Sequence, residues 1–310
     1  MKQDLYRYVV EEFAEDYQHG EISRREFLRR MALLGGGAVG AAALLESVGV
    51  AAASQAEWEQ VFASIPETEP MLKAQQVDPK DPSIEASSIV YNARGFEHMA
   101  YLARPVGVSS APGVLIIHEN RGLQPHIEDV ARRMAKAGYI ALAPDLVSKN
   151  GGTKKFTDTA QISSYLAQTS GDEHVANLLE AMNVLKATSG VQAMRLGVTG
   201  YCFGGGLTWR LATESKELLA AVPFYGPAPD LTKVPNIRAA VLGIYGGNDA
   251  RINAGIPALE TALKAAKTTH QIKIFEGANH AFHNDTGANY KKDAAEEAWR
   301  MTLEWFKKYL

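Results

Sequence analysis

The chain has 310 residues and a single cysteine, Cys202. An intrachain disulfide is therefore excluded, and so is a zinc site built from several thiolates. Charge of one sign is also scarce. The formal net charge of −3 gives no electrostatic footprint for nucleic acid or for an anionic membrane surface. No cluster of metal-ligating residues stands out, and the glycine-rich turn at Gly200–Gly206 opens no G-x-G-x-x-G pattern. Neither a metal nor a cofactor is expected. The apolar run from Met31 to Leu45 is broken by Glu46 and is too short for a stable membrane span. There is no internal repeat and no low-complexity tract. What remains is a globular composition, 46% hydrophobic, with ample material for a large core.

The N-terminus carries Ser23-Arg24-Arg25-Glu26-Phe27-Leu28, a twin-arginine motif, followed by the apolar run. Residues 51–53 or 54–56 would suit a signal peptidase. On this reading residues 1–56 are a leader, the partner is the twin-arginine export machinery, and the destination is the periplasm. The segment before the arginines is long and acidic (Glu11, Glu12, Glu15, Asp16) with a helical apolar pattern. The alternative is therefore an uncleaved helical hairpin on a cytoplasmic enzyme. Residues 57–84 hold four prolines, Pro66, Pro70, Pro79 and Pro82, and read as a linker or strap.

From residue 85 to 310, strand and helix patterns alternate as an α/β sheet requires. Stretches 84–91 and 96–104 form an antiparallel pair. The continuous apolar run at 113–117 is a buried central strand, and further strands follow at 139–143, 196–199, 220–224, 239–245 and 271–275. Helices are expected at 127–137, 172–188, 254–267 and 292–309, with short helices above the sheet between 146 and 171. Eight strands, mostly parallel, with helices on both faces make an α/β-hydrolase sheet the first choice.

The chemistry centres on Gly200-Tyr201-Cys202-Phe203-Gly204-Gly205-Gly206. Strand, sharp glycine-flanked turn and helix make a nucleophile elbow, with cysteine where the usual motif has serine. The N-terminus of the following helix is expected to favour thiolate. A lone cysteine is also often a small buried hydrophobe, so the partners matter. Asp249 follows one late strand and His280 follows the last. The order nucleophile, acid, histidine is that of the α/β-hydrolases. His280 would deprotonate Cys202 and Asp249 would fix the imidazole. Backbone N–H groups of Phe203 and Asn120 would form the oxyanion hole. Glu119, next to Asn120, would either hold the resting thiol neutral or anchor its own loop.

Taken together, G-Y-C-F-G-G-G, the H-E-N-R-G loop at His118–Gly122, Gly247-Asn248-Asp249 and Gly277-Ala278-Asn279-His280-Ala281-Phe282 resemble the dienelactone hydrolases. The closest likeness is to the branch with a twin-arginine-like leader and an H-E-N-R-G-L loop. The resemblance implies a Cys202–His280–Asp249 triad, and it makes Glu119 the glutamate that pairs with the resting cysteine until substrate displaces it. It implies hydrolysis of a small lactone or activated ester through an acyl-cysteine. A general carboxylesterase, or a binding or redox-responsive protein on the same fold, is the alternative. Family members hold a substrate carboxylate with arginines, one of them four residues after the histidine, and here that position is Asn284. Arg121, Arg251 and His283 are candidates to compensate, with Tyr201 and Tyr225 as further substrate contacts. Changing Arg24 and Arg25 together to lysine is expected to trap uncleaved protein in the cytoplasm of a bacterium with an active twin-arginine system. Normal export of that variant on cell fractionation would refute the route.

Overall fold

The computed structural model describes residues 2–63 and 76–310. Four helices come first: α1 (Lys2–Gln18), α2 (Arg24–Gly35), α3 (Ala38–Ser47) and α4 (Gln55–Ala63). The expected linker at 57–84 is thus partly helical, and its central part lies outside the described residues. Next come β1 (Ile84–Ala93), β2 (Phe96–Pro105), β3 (Ala111–Ile117), α5 (Pro125–Lys136) and β4 (Ile140–Pro144). Two 3-10 turns lead to α6 (Thr159–Gln168), α7 (Gly171–Ala187), β5 (Val191–Tyr201), α8 (Phe203–Glu214) and β6 (Leu218–Phe224). The chain closes with β7 (Ala240–Gly246), α9 (Ala250–Asn253), α10 (Ile256–Ala265), β8 (His270–Phe275) and α11 (Lys292–Tyr309).

The strands form one eight-stranded sheet in the order β1-β2-β4-β3-β5-β6-β7-β8. β1 pairs antiparallel with β2, and β2 pairs antiparallel with β4. All later pairs are parallel. β3 leads on to β4 on one side and β5 to β6 on the other, so the loops after the neighbouring strands β3 and β5 diverge between them, as at the crevices where open α/β sheets bind ligands. Burial explains the sequence pattern: β4 and β7 are buried at every residue and read as unbroken apolar runs because helices cover both faces.

Alternation along β5 fixes the layers. A side chain at Gly197 would meet Phe306 and Leu310, whereas one at Gly200 would meet Thr208. α11 and α8 therefore lie on opposite faces. α5 shares the α11 side, because His126 packs edge-on against Tyr201, which has the parity of Gly197. Trp209, fully buried on α8, donates to Tyr245 Oη at 3.1 Å.

The N-terminal helices are packed onto this body. α1 buries Leu5, Tyr8, Val9, Val10, Phe13 and Ala14, and α2 buries Phe27, Leu28, Met31 and Leu34. Both contact α6. Ser23 caps α2 by accepting from Glu26 N–H at 3.1 Å, which satisfies one of the orphan donors at the helix start. α2 and α3 meet at a bend of 109°, and no single helix among the described residues is long and apolar enough to cross a membrane.

Strand β6 and helix α8 approach so closely that a Cβ on Gly205 would lie 2.2 Å from Phe224 O. Gly205→Ala is expected to cost about 1–3 kcal/mol by overpacking. Gly255→Ala, whose new Cβ would find no atom nearer than 3.6 Å, should stay within about 0.5 kcal/mol of the wild type. Urea unfolding of both variants checks this, and equal stability would refute it.

Candidate active site

Four loops at the C-terminal edge of the sheet converge. Tyr201 ends β5, and Cys202 sits at the start of α8 with φ 58° and ψ −119°. A non-glycine residue in that region is strained. It is held there because Cys202 N–H donates to Phe224 O at 3.1 Å and Gly206 N–H donates to Cys202 O at 3.1 Å. The tight turn also demands glycine at 200, where any Cβ would fall 2.3 Å from Gly204 O. Asp249 follows β7 and caps α9, accepting from Ile252 N–H at 3.3 Å. His280 follows β8, and its Nδ1 is 2.6 Å from Asp249 Oδ2. Asp249 is 1% exposed, so the pair is shielded from water. Burial opposes charge on His280, but Asp249 and the neighbouring sulfur outweigh it and raise its pKa well above the ordinary value. The structure thus brings the three residues to one place, with the Cys202 sulfur and a His280 ring nitrogen within 4.8 Å of each other and His280 on Asp249.

The resting thiol differs from expectation. Burial, then the nearby Glu12 charge, push Cys202 up to about 11, with His280 opposing. A helix N-terminus does not make it a thiolate here, because Cys202 is only 3% exposed and desolvation penalises the anion. The cover is α1. Cys202 Sγ donates to Glu12 Oε1 at 3.1 Å, and Tyr8 Oη lies 3.2 Å from the same sulfur.

Glu119 does not take that place. Its Oε2 accepts from Asn284 Nδ2 at 2.8 Å, so the carboxylate expected beside the thiol is turned to the side chain standing where the family arginine would be. Its loop is anchored by neighbours. His118 Nδ1 lies 2.6 Å from Glu119 O, His118 Nε2 accepts from Leu146 N–H at 3.1 Å, and Ser163 Oγ donates to Asn120 O at 2.8 Å. Asn120 Nδ2 donates to Glu12 Oε1 at 2.8 Å. Phe203 opens α8, so its N–H is among the first-turn donors that have no intrahelical acceptor.

The cavity at the triad, about 270 Å³, is lined by Cys202, His280, Asp249, Glu119, Asn120 and Arg121, and on its other wall by Glu12, Glu15 and Asp16 of α1. Burial raises Asp16 to about 7, against the pull of Arg121. Of the expected substrate contacts, only Arg121 lines this cavity. Arg251 lines a separate cavity of about 540 Å³ with Leu5, Tyr8 and Pro227. Its Nε donates to Glu15 Oε2 at 3.0 Å, and its guanidinium lies 4.9 Å over the Tyr8 ring. Tyr201, Tyr225 and His283 are at most 1% exposed and form an aromatic floor. His283 stacks on Tyr201 at 5.1 Å, and Tyr225 lies 5.0 Å from His280. They support the site from below and do not face the space a substrate would enter.

Glu12, Cys202 and His280 offer oxygen, sulfur and nitrogen donors within 4.8 Å of one another. By donor type these could hold a zinc ion, but two of the three, the Cys202 sulfur and the His280 ring nitrogen, are the atoms acyl transfer would use. Sequence reasoning missed Tyr8 and Glu12 as site residues. The signal was the acidic helical segment before the arginines, which fits a signal peptide poorly.

Residues 99–310 match the dienelactone hydrolase family. A candidate carboxymethylenebutenolidase of Methylorubrum extorquens is 35% identical over 222 residues, covering 68% of this chain and 76% of its own. One of Escherichia coli K12 is 33% identical over 245 residues, covering 75% and 90%. A solved structure described as a dienelactone hydrolase candidate from Klebsiella pneumoniae superposes with a TM-score of 0.68 at 31% identity, covering 73% of this chain and 99% of that one. With the sheet order, the elbow and these relatives in agreement, the chain belongs to the dienelactone hydrolase family of ester-cleaving α/β-hydrolases.

Proposed function

We propose that the protein is a cysteine hydrolase that opens a small lactone or cleaves an activated carboxylic ester, as the name carboxymethylenebutenolidase carried by its relatives suggests. The observation that carries this reading is the 2.6 Å contact of His280 with buried Asp249, beside a thiol on a turn at φ 58°. His280 Nε2 has no hydrogen-bond partner among the described residues and would take the thiol proton as Sγ attacks the carbonyl carbon. The resulting imidazolium is stabilised by Asp249. The oxyanion would be met by the N–H groups of Phe203 and Asn120. Collapse expels the alkoxide, which takes the proton from His280, and leaves a thioester. Water then gives a proton to His280 and attacks the thioester; the thiolate leaves and recovers that proton from His280, and the acid product ionises to a carboxylate. A good leaving group, such as an enolate, suits a thiol nucleophile better than an amide does.

Arg121 is the cation of the triad cavity and the candidate for steering an anionic substrate. With Asn284 engaged by Glu119, the carboxylate-binding arginine of the family has no counterpart at that position.

Export by the twin-arginine route is a second part of this proposal, supported by the motif at Ser23–Leu28 and by the exposure of Arg25. The competing reading, a retained hairpin, is favoured by the burial of Phe27 and Leu28. A receptor reading the motif would first have to unpack both side chains.

Cys202→Ala is expected to lower turnover of p-nitrophenyl acetate or a small lactone by ~10³-fold or more while leaving the circular dichroism unchanged. A folded variant with wild-type rates would refute the nucleophile. A folded wild type that hydrolyses no member of an ester and lactone panel would favour the binding or redox reading.

A further inference from the structure

We propose that α1 is a built-in occupant of the hydrolase site, with Glu12 standing where the carboxylate product of hydrolysis would lie, so that the full-length chain stays slow until α1 withdraws. The proposal rests on the hydrolase reading above and names the regulation of that site.

Glu12 Oε1 sits between the nucleophile and the oxyanion loop, accepting from Cys202 Sγ at 3.1 Å and from Asn120 Nδ2 at 2.8 Å. An ester carbonyl under attack needs the same neighbourhood, so carboxylate and substrate exclude each other. Because the thiol gives its proton to Glu12, Tyr8 Oη is left as donor to the sulfur, and both faces of the nucleophile are engaged. Glu12 is the sole carboxylate hydrogen-bonded to the thiol among the described residues.

The contact is costly for the groups that make it. Glu12 Oε2 is buried with no hydrogen-bond partner among the described residues, a state that ordinarily destabilises a protein. It persists because α1 is held by other means. Val9, Val10 and Phe13 are 0–3% exposed, and Arg251 pairs with Glu15. Tyr6 Oη also donates to Leu34 O at 3.0 Å, tying α1 to α2. A helix whose packing forces an unsatisfied carboxylate onto a nucleophile is loaded against its own site.

The same hairpin carries the twin-arginine motif. Phe27 stacks on Tyr17 of α1 with ring centroids 4.9 Å apart, so engaging it breaks a contact between α2 and α1, which are also joined through Tyr6. Cleavage anywhere in 51–56 would remove Tyr8 and Glu12 with the leader. One event would then end the role of the leader and uncover the thiol.

The test uses the full chain. Iodoacetamide alkylation of Cys202, the lone thiol, reads access, and p-nitrophenyl acetate hydrolysis reads turnover. Glu12→Ala is expected to raise both by about tenfold or more, the scale of one charge-assisted hydrogen bond. Phe13→Ala, which loosens α1 without touching the thiol, should move both in the same direction. Glu119→Gln, which leaves the Glu12 contact in place, should raise alkylation by less than Glu12→Ala does, since the Glu119 charge bears less on the thiol. Unchanged alkylation in Glu12→Ala overturns the proposal. So does lost hydrolysis in that variant with fast alkylation, which would place Glu12 in the catalytic machinery. Acceleration by Glu12→Ala with none by folded Phe13→Ala would confine the effect to one charge and overturn helix withdrawal. Acceleration by Glu119→Gln as large as that by Glu12→Ala would return the restraint to Glu119. Cys202→Ala placed in the Glu12→Ala chain separates the two readings: surviving hydrolysis there defeats the cysteine-hydrolase reading, whatever alkylation shows.

Discussion

The site depends on one backbone constraint, the positive φ of Cys202 at the junction of β5 and α8. Only a residue held in that strained turn can stand clear of the sheet and face loops from β3, β7 and β8 at once. The strain is contained by close packing on both sides. A Cβ at Gly204 would fall 2.4 Å from Ile117 O, and one at Gly205 would fall 2.2 Å from Phe224 O. Those contacts lock α8 against the ends of β3 and β6, so the elbow cannot relax without separating the central strands. The glycines that make the motif visible in sequence are the ones that make the conformation possible.

Electrostatics then decides what this position is used for. In water a cysteine at a helix N-terminus would lean toward thiolate. Here burial and the Glu12 carboxylate both push the other way, and the thiol keeps its proton. Asp249 and His280 form the opposite case, a buried acid that stabilises a positive neighbour. The resting site thus holds a neutral nucleophile beside a base already favoured to become cationic. Displacement of a single carboxylate would shift the balance toward proton transfer.

The middle of the sheet was legible in the sequence because its central strands are buried on both faces and read as apolar runs. The candidate triad was legible because Cys202, Asp249 and His280 each follow a strand, and strand ends share one rim of a parallel sheet. The carboxylate at the thiol was not. Glu12 lies 190 residues from Cys202, on a segment whose apolar face resembles a leader as much as a docking helix, and only tertiary packing tells them apart. The hydrogen-bond partner of Glu119 was hidden for a related reason. Its position in the H-E-N-R-G loop puts it near the nucleophile, but its hydrogen bond depends on Asn284, a residue that departs from the family pattern. Tyr201, Tyr225 and His283 look like site residues by proximity in sequence, yet alternation along the strands and the turn after β8 point them into the aromatic layer beneath.

Cysteine nucleophilicity is tested most directly by trapping the covalent intermediate. Acid quench of the Glu12→Ala chain during turnover of p-nitrophenyl acetate, followed by peptide mass mapping, should find an acetyl group on the peptide containing Cys202 and on no other. The label should be absent when His280 is replaced by alanine. Acetylation at a serine or lysine instead, or steady turnover with Cys202 unmodified at every quench time, would contradict a thioester mechanism.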